Sequence, residues 1–299
     1  MMNTDSKTFV FGDIEGFEPL FTSTMNTIEA NKHDPNVKFI FLGDVYDYNK
    51  STVCIEQIGQ ILNALDIPIK HIFTRQSKEI EVIRLFRKLW KVKQMKCYSK
   101  FHIQYVHSKL KPEIVDSNEK VIFILGNKET IFVREIITSE KIMKSNDGFI
   151  VPTDYHRKHK RPDQPDIKHI EYLFTINQLN VMYTYLMLAH NYAIIDDKMF
   201  IHCYINYKTF DESVKNSVKH VVAGHSKGYG HFIDSEFEDV DIFIVDLTGT
   251  EGIANNFMTI EDETFTHNFN DNFKPYLEKL QFVPTEGINI IDNPKFGKE

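Results

Sequence analysis

Cysteine is scarce in this chain. Cys54, Cys97 and Cys203 are the only three in 299 residues, odd in number and far apart. They make neither a disulfide framework nor a CxxC metal pair, and they suit a reducing compartment. Long apolar runs are missing too: no stretch approaches the roughly 18 apolar residues of a membrane helix. Met1 to Phe11 lacks the charged-then-apolar layout of a secretory leader. The expectation is a soluble, intracellular chain with no membrane partner. Nor is there a basic excess. A formal charge of -7 argues against a protein that coats nucleic acid or anionic membrane over its whole surface. Internal repeats are also lacking.

What the chain does have is enough apolar residue, 42%, to bury a full core. Much of it falls in short runs rich in aromatic and β-branched residues, which read as buried strands. These are Thr8–Phe11, Lys38–Leu42, Val121–Leu125, His220–Ala223, Asp241–Val245 and Asn256–Ile260, with a hairpin of Tyr192–Ile195 and Met199–Ile201 about Asp196-Asp197. Helical spacing of apolar residues marks Phe17–Asn31, a helix with Ser51 as its N-cap, a helix from Glu129, and a long helix over Tyr172–His190. The order is β-α-β-α at the start, a mixed α/β class.

Between Lys70 and Lys111 there are twelve Lys or Arg and only two Glu. Ile80, Ile83, Leu85, Phe86, Leu89 and Trp90 recur there at helical intervals. We read a basic helical insertion, about 67–119, with a strand-like piece at Phe101–Val106. A solvated lid face is favoured over a nucleic-acid patch. Asp154–Asp166, with its HRKHKR run, reads as a charged surface loop. The division expected is a main domain over 1–265 and a peripheral tail over 266–299.

Chemistry-bearing residues cluster at strand ends: Asp13, Asp44, Asn127, His202 and His225. Taken singly, Gly-Asp and Gly-Asn are ordinary turns, and a lone histidine is more often structural than a ligand. Their repetition is the signal. In α/β sheets, ligands gather at the carboxyl ends of strands. Oxygen and imidazole donors converging there suit divalent ions, and a carboxylate such as Asp44 can bridge two of them about 3.5–4 Å apart.

The ordered blocks GDIEG, GDVYDY, GNKE, FIHCY and AGHS resemble those of the calcineurin-like metallophosphoesterases, within them the phosphoprotein (Ser/Thr) phosphatase branch. LMLAHNYAIIDDKMFIHCYIN and IVDLTGTEG extend the likeness, which runs from about Phe9 to Ile260. It implies a four-layer α/β/β/α sandwich and two divalent ions (Mn, Zn or Fe). Asp13 and Glu15 would hold the first ion, Asp44 would bridge, and Asn127, His202 and His225 would hold the second. A metal-bound hydroxide would attack a phosphomonoester, whether a phosphoprotein or a small phosphoester.

Three positions depart from the family pattern. Glu15 stands in place of a ligand histidine. Lys128 stands in place of the histidine that protonates the leaving group, and Tyr48 in place of a phosphate-gripping arginine, for which Lys227 is a candidate substitute. Asp47 is expected to pair with Lys128, so these two are the candidate acid–base residues. Loss of a general acid typically costs about 10²–10⁴-fold, which slows an enzyme without abolishing it. The alternative is a pseudophosphatase with a binding or structural role. A nucleic-acid partner on the basic insertion is the remaining reading. Divergent relatives occur in large DNA viruses, and the lysine-, asparagine- and isoleucine-rich composition is that of an AT-rich genome. The expected compartment is the cytoplasm, or a host cell or virion for a viral protein.

Overall fold

Alternation with period two organises the first sheet, and phenylalanine marks one of its faces. The computed structural model describes residues 6–47, 50–93, 95, 119–139, 142–153, 170–203, 210–225, 229–233, 240–245, 257–261, 264–268, 283–285 and 288–290. The elements begin with β1 (Lys7–Phe11), α1 (Glu18–Asn31), β2 (Val37–Phe41), α2 (Ser51–Ala64), α3 (Glu79–Val92), β3 (Val121–Phe123) and α4 (Asn127–Thr138). Next come β4 (Met143–Lys144), β5 (Gly148–Thr153), β6 (Ile170–Thr175), α5 (Ile176–Leu188), β7 (Tyr192–Ile195), β8 (Lys198–Ile201) and α6 (Glu212–Lys215). The remainder is strand: β9 (His220–Ala223), β10 (Tyr229–Ile233), β11 (Asp241–Val245), β12 (Phe257–Glu261), β13 (Thr264–Asn268), β14 (Val283–Thr285) and β15 (Ile288–Ile290).

A five-stranded sheet runs β13-β12-β1-β2-β3, and a seven-stranded one runs β14-β15-β10-β11-β9-β8-β7. β1, β2 and β3 are mutually parallel, as are β8, β9 and β11, while antiparallel strands flank both sets. A third, antiparallel sheet is β4-β5-β6. On one face of the first sheet, Phe9, Phe11, Phe39, Phe41 and Phe123 stack in a ladder, with centroids 4.9–6.4 Å apart. That face packs on α1 to α5. The alternate residues, Val10, Ile40, Leu42, Ile122 and Ile124, meet Ala193, Phe200, Val222, Phe243 and Val245 of the second sheet. The second sheet's outer face, with Met199, Val221 and Ile242, covers Phe210, Val218 and Val214 around α6. A sheet with two apolar faces must be covered on both, and this arrangement does so.

Two local readings change. The N-cap of α2 is Lys50, and Ser51 is already helical and buried. The apolar run at Tyr172 belongs to β6, and the helix starts only after Thr175. There the Thr175 hydroxyl accepts from Gln178 N–H at 3.2 Å and Gln178 reaches back at 2.9 Å, a capping box that fixes the boundary. The described part of the basic segment has the solvated face expected of it, and its other face joins the core. α3 buries Val82, Phe86 and Leu89 in the main core while Arg84, Arg87, Lys88 and Lys91 stay exposed. β4, β5 and β10 lack sequence expectations. β13 crosses position 265, and β14 and β15 extend the edge of the second sheet, β15 pairing with β10. The Phe101–Val106 strand and the Asp154–Asp166 loop lie outside the described residues. No helix among the described residues is long and apolar enough to cross a membrane.

Candidate metal centre

Parallel strands end together, so the residues that follow them meet. Asp13 follows β1, Asp44 follows β2, Asn127 and Lys128 open α4 after β3, His202 follows β8, and His225 follows β9. Asp13, Asp44, His202 and His225 each offer a donor atom, and these atoms lie within 4.8 Å of one another. The first two come from one sheet and the two histidines from the other.

Close backbone approach makes this possible. Gly43 has φ +96°, and a Cβ there would lie 2.6 Å from Gly126 N and 2.9 Å from His202 Nδ1. A Cβ on Gly126 would collide with Asp44 N and Oδ1. Both glycines are therefore spatial requirements as well as turn formers. Three residues of the site, Glu15 (φ 48°), Asp44 (φ 46°) and His225 (φ 45°), adopt the left-handed conformation without being glycine. Such backbone is uncommon and costs energy, and it tends to cluster at functional sites. The amides of Ile14 and Glu15 both donate to the Asp44 carbonyl, at 3.2 and 3.0 Å, tying the first loop to the second.

His202 is held in a ligand's tautomer. Its Nδ1 lies 2.7 Å from the Leu42 carbonyl, which can only accept, so Nδ1 carries the proton. Nε2 then directs its lone pair inward, 3.5 Å from Asp44 Oδ1. A lone pair facing a carboxylate oxygen calls for a cation between them, a proton or a metal ion. His202 Nε2, Asp44 Oδ2 and Asn127 Oδ1 are buried without a hydrogen-bond partner among the described residues. Buried polar atoms are rarely left unpaired, so these three are suited to coordinating a cation. The donor set of carboxylates and imidazoles fits a divalent metal ion. Burial opposes charge on Asp44, but the His202 and His225 rings, when protonated in place of a bound cation, outweigh it and hold the carboxyl well below its usual range.

Asn127 lies beside this group, its Nδ2 3.4 Å from His225 Nε2. Glu15 is engaged elsewhere: its Oε1 is 2.7 Å from Lys128 Nζ. The expected Asp47–Lys128 pair is present, with Oδ2 2.6 Å from the same nitrogen. Burial works against the Lys128 ammonium, yet Asp44, Glu15 and Asp47 together hold its pKa above the ordinary lysine value. Burial, aided by Asp44, raises that of Glu15 against the pull of Lys128. Tyr48 and Lys227 lie outside the described residues.

Sequence reasoning passed over Glu129. It is fully buried, and its two oxygens accept the amide hydrogens of Asp44 at 3.1 Å and Tyr46 at 3.2 Å, with Tyr185 Oη at 3.4 Å. Burial and then the charge of Asp44 push its pKa up to about 8. Glu129 thus positions the loop that carries Asp44. The available signal was its place as the last residue of the GNKE block. In Glu129→Gln, one acceptor becomes a donor facing a backbone N–H. The expected cost is about 1–3 kcal/mol, read as a lower urea midpoint at unchanged slope.

No family model matches the chain, and no curated protein does.

Proposed function

We propose that this chain is a divergent calcineurin-like metallophosphoesterase, on the phosphoprotein phosphatase branch, that hydrolyses phosphomonoesters with bound divalent metal. The observation that carries the reading is the convergence of Asp13, Asp44, His202 and His225, with Asp44 Oδ2 and His202 Nε2 buried and without a hydrogen-bond partner among the described residues. The layering of helices, two sheets and α6 supports the four-layer α/β/β/α architecture that goes with it. Asp13, Asp44, His202 and His225, with Asn127 beside them, would hold Mn, Zn or Fe. The resemblance calls for two ions, the other of them drawing on Glu15.

A divalent ion supplies Lewis acidity toward a phosphoryl oxygen and lowers the pKa of water. The chain's own residues do the rest. Leu42 fixes the tautomer of His202, and Glu129 fixes the loop that carries Asp44. Lys128 holds a proton near the site, paired with Asp47. The substrate class is a phosphoserine or phosphothreonine protein, or a small phosphomonoester.

One observation favours a second reading, a pseudophosphatase. Lys128 replaces the leaving-group acid and is gripped by two carboxylates, which makes it a poor proton donor.

The test is phosphate release from p-nitrophenyl phosphate and a phosphoserine peptide by chelator-stripped protein, before and after Mn²⁺, Zn²⁺ or Fe²⁺ is restored. Metal-dependent turnover is expected, together with its loss in His202→Ala. Metal affinity in that variant should fall by more than the about 10–100-fold that loss of an outer-shell partner costs. Absence of turnover on both substrates with every metal would leave the pseudophosphatase.

A further inference from the structure

We infer that the centre holds one divalent ion, and that the Lys128 ammonium is the built-in second cation. The inference rests on the metal-dependent reading above and departs from the two ions that the resemblance calls for.

The residues that would take a second ion are already committed. Glu15 is the first-ion ligand expected from sequence, but its Oε1 lies 2.7 Å from Lys128 Nζ. Asp47 Oδ2 lies 2.6 Å from the same nitrogen. An ion at either of those oxygens would have to displace the ammonium, and one at the neighbouring oxygens would sit beside its positive charge. Asp44 also has one lone pair of Oδ1 engaged, which leaves that oxygen a single site, the one facing His202 Nε2. Asp44 Oδ1 accepts the Lys128 backbone N–H at 2.9 Å, and only Oδ2 lacks a hydrogen-bond partner among the described residues. A bridging role for two ions draws on more of that carboxylate than a role for one.

Charge points the same way. Two divalent ions plus the ammonium would exceed the combined negative charge of Asp13, Glu15, Asp44 and Asp47. One ion plus the ammonium does not, and like charges in a buried site repel strongly. The backbone of the lysine is fixed beside the site, because it follows Asn127 in the first turn of α4 and its own amide is bonded to Asp44. The metal cluster and the lysine clamp are thus two neighbouring cation positions, linked through Asp44, whose Oδ1 accepts the Lys128 amide. The clamp's occupant is covalently attached.

The experiment is metal stoichiometry by native mass spectrometry after loading with Mn²⁺ or Zn²⁺ and desalting. Wild type is expected to retain one ion per chain. Lys128→Met, which keeps the chain length and removes the charge, is expected to retain two, and Lys128→Met with Glu15→Gln to return to one. Two ions on wild type overturn the inference and leave the phosphoesterase reading standing. No ion on wild type overturns both. A folded Lys128→Met that stays at one ion also overturns the inference. If Lys128→Met fails to fold, Glu15→Gln alone decides. One ion is expected to remain, since Glu15 does not ligate it, and its loss would overturn the assignment.

Discussion

Asp44→Asn is expected to erase the thermal stabilisation that added metal gives the wild-type chain. Asp44 is fully buried between both histidines, with Oδ1 3.5 Å from His202 Nε2 and Oδ2 3.6 Å from His225 Nδ1. Asparagine keeps the size and can still accept the Lys128 amide, but it gives up the negative charge and places a donor among the ligands. An ion that binds only the folded chain, at about a thousand times its dissociation constant, stabilises by about 4 kcal/mol. For a chain of this size that raises Tm by on the order of 10 °C. Thermal unfolding with and without Mn²⁺ or Zn²⁺ checks this. The wild-type midpoint should rise and that of Asp44→Asn should stay flat. An equal rise in both would place the ion away from Asp44.

Phe86→Ala is expected to cost about 3–5 kcal/mol, the range for emptying a buried aromatic site. Phe86 is fully buried, stacked on Phe73 at 5.8 Å and edge-on to Tyr183 at 5.4 Å and Phe132 at 5.9 Å. Those partners come from the segment before α3 and from α4 and α5. Its loss therefore opens a cavity among several elements, none of which can collapse into it alone. Ile80, on the same helix, is 64% exposed, and its replacement by alanine should stay within about 0.5 kcal/mol. Equilibrium urea unfolding of the two variants separates a core helix from a lid. A cost under about 1 kcal/mol for Phe86→Ala would mean that α3 lifts away without disturbing the core.

The contrast between these residues shows what was readable beforehand. Strand ends were legible because a short apolar run that stops at Gly-Asp, Gly-Asn or Gly-His, as β1, β2, β3 and β9 do, carries its own punctuation, while β8 runs straight into His202. β1, β2, β8 and β9 accordingly bring Asp13, Asp44, His202 and His225 together. The 172–190 stretch misled because β6 and α5 are both apolar and adjoin directly. The Thr-x-x-Gln of Thr175 to Gln178 was the sign of the boundary. Basic charge concealed the burial of α3, since it occupies only the outer face of the helix. The Glu15–Lys128 contact joins side chains 113 positions apart. No local pattern encodes it, as it depends on two loops being packed first. The Asp47 partner came from the resemblance, and the structure adds that Lys128 has both carboxylates at once.

The centre draws half of its donors from each sheet, and this has a consequence for how the molecule forms and persists. His225 N–H already reaches Asp13 Oδ1 across 212 positions of chain, at 3.3 Å. No shorter fragment contains both. The full ligand set exists only after the two sheets have docked, so an ion arrives too late to guide the search for the native topology. Contacts that form after the transition state slow unfolding and leave the folding rate nearly unchanged. An ion held there would rivet the seam. Chelation is then expected to shorten the lifetime of the folded chain and leave the speed of its folding almost untouched, which unfolding and refolding rates with and without chelator check.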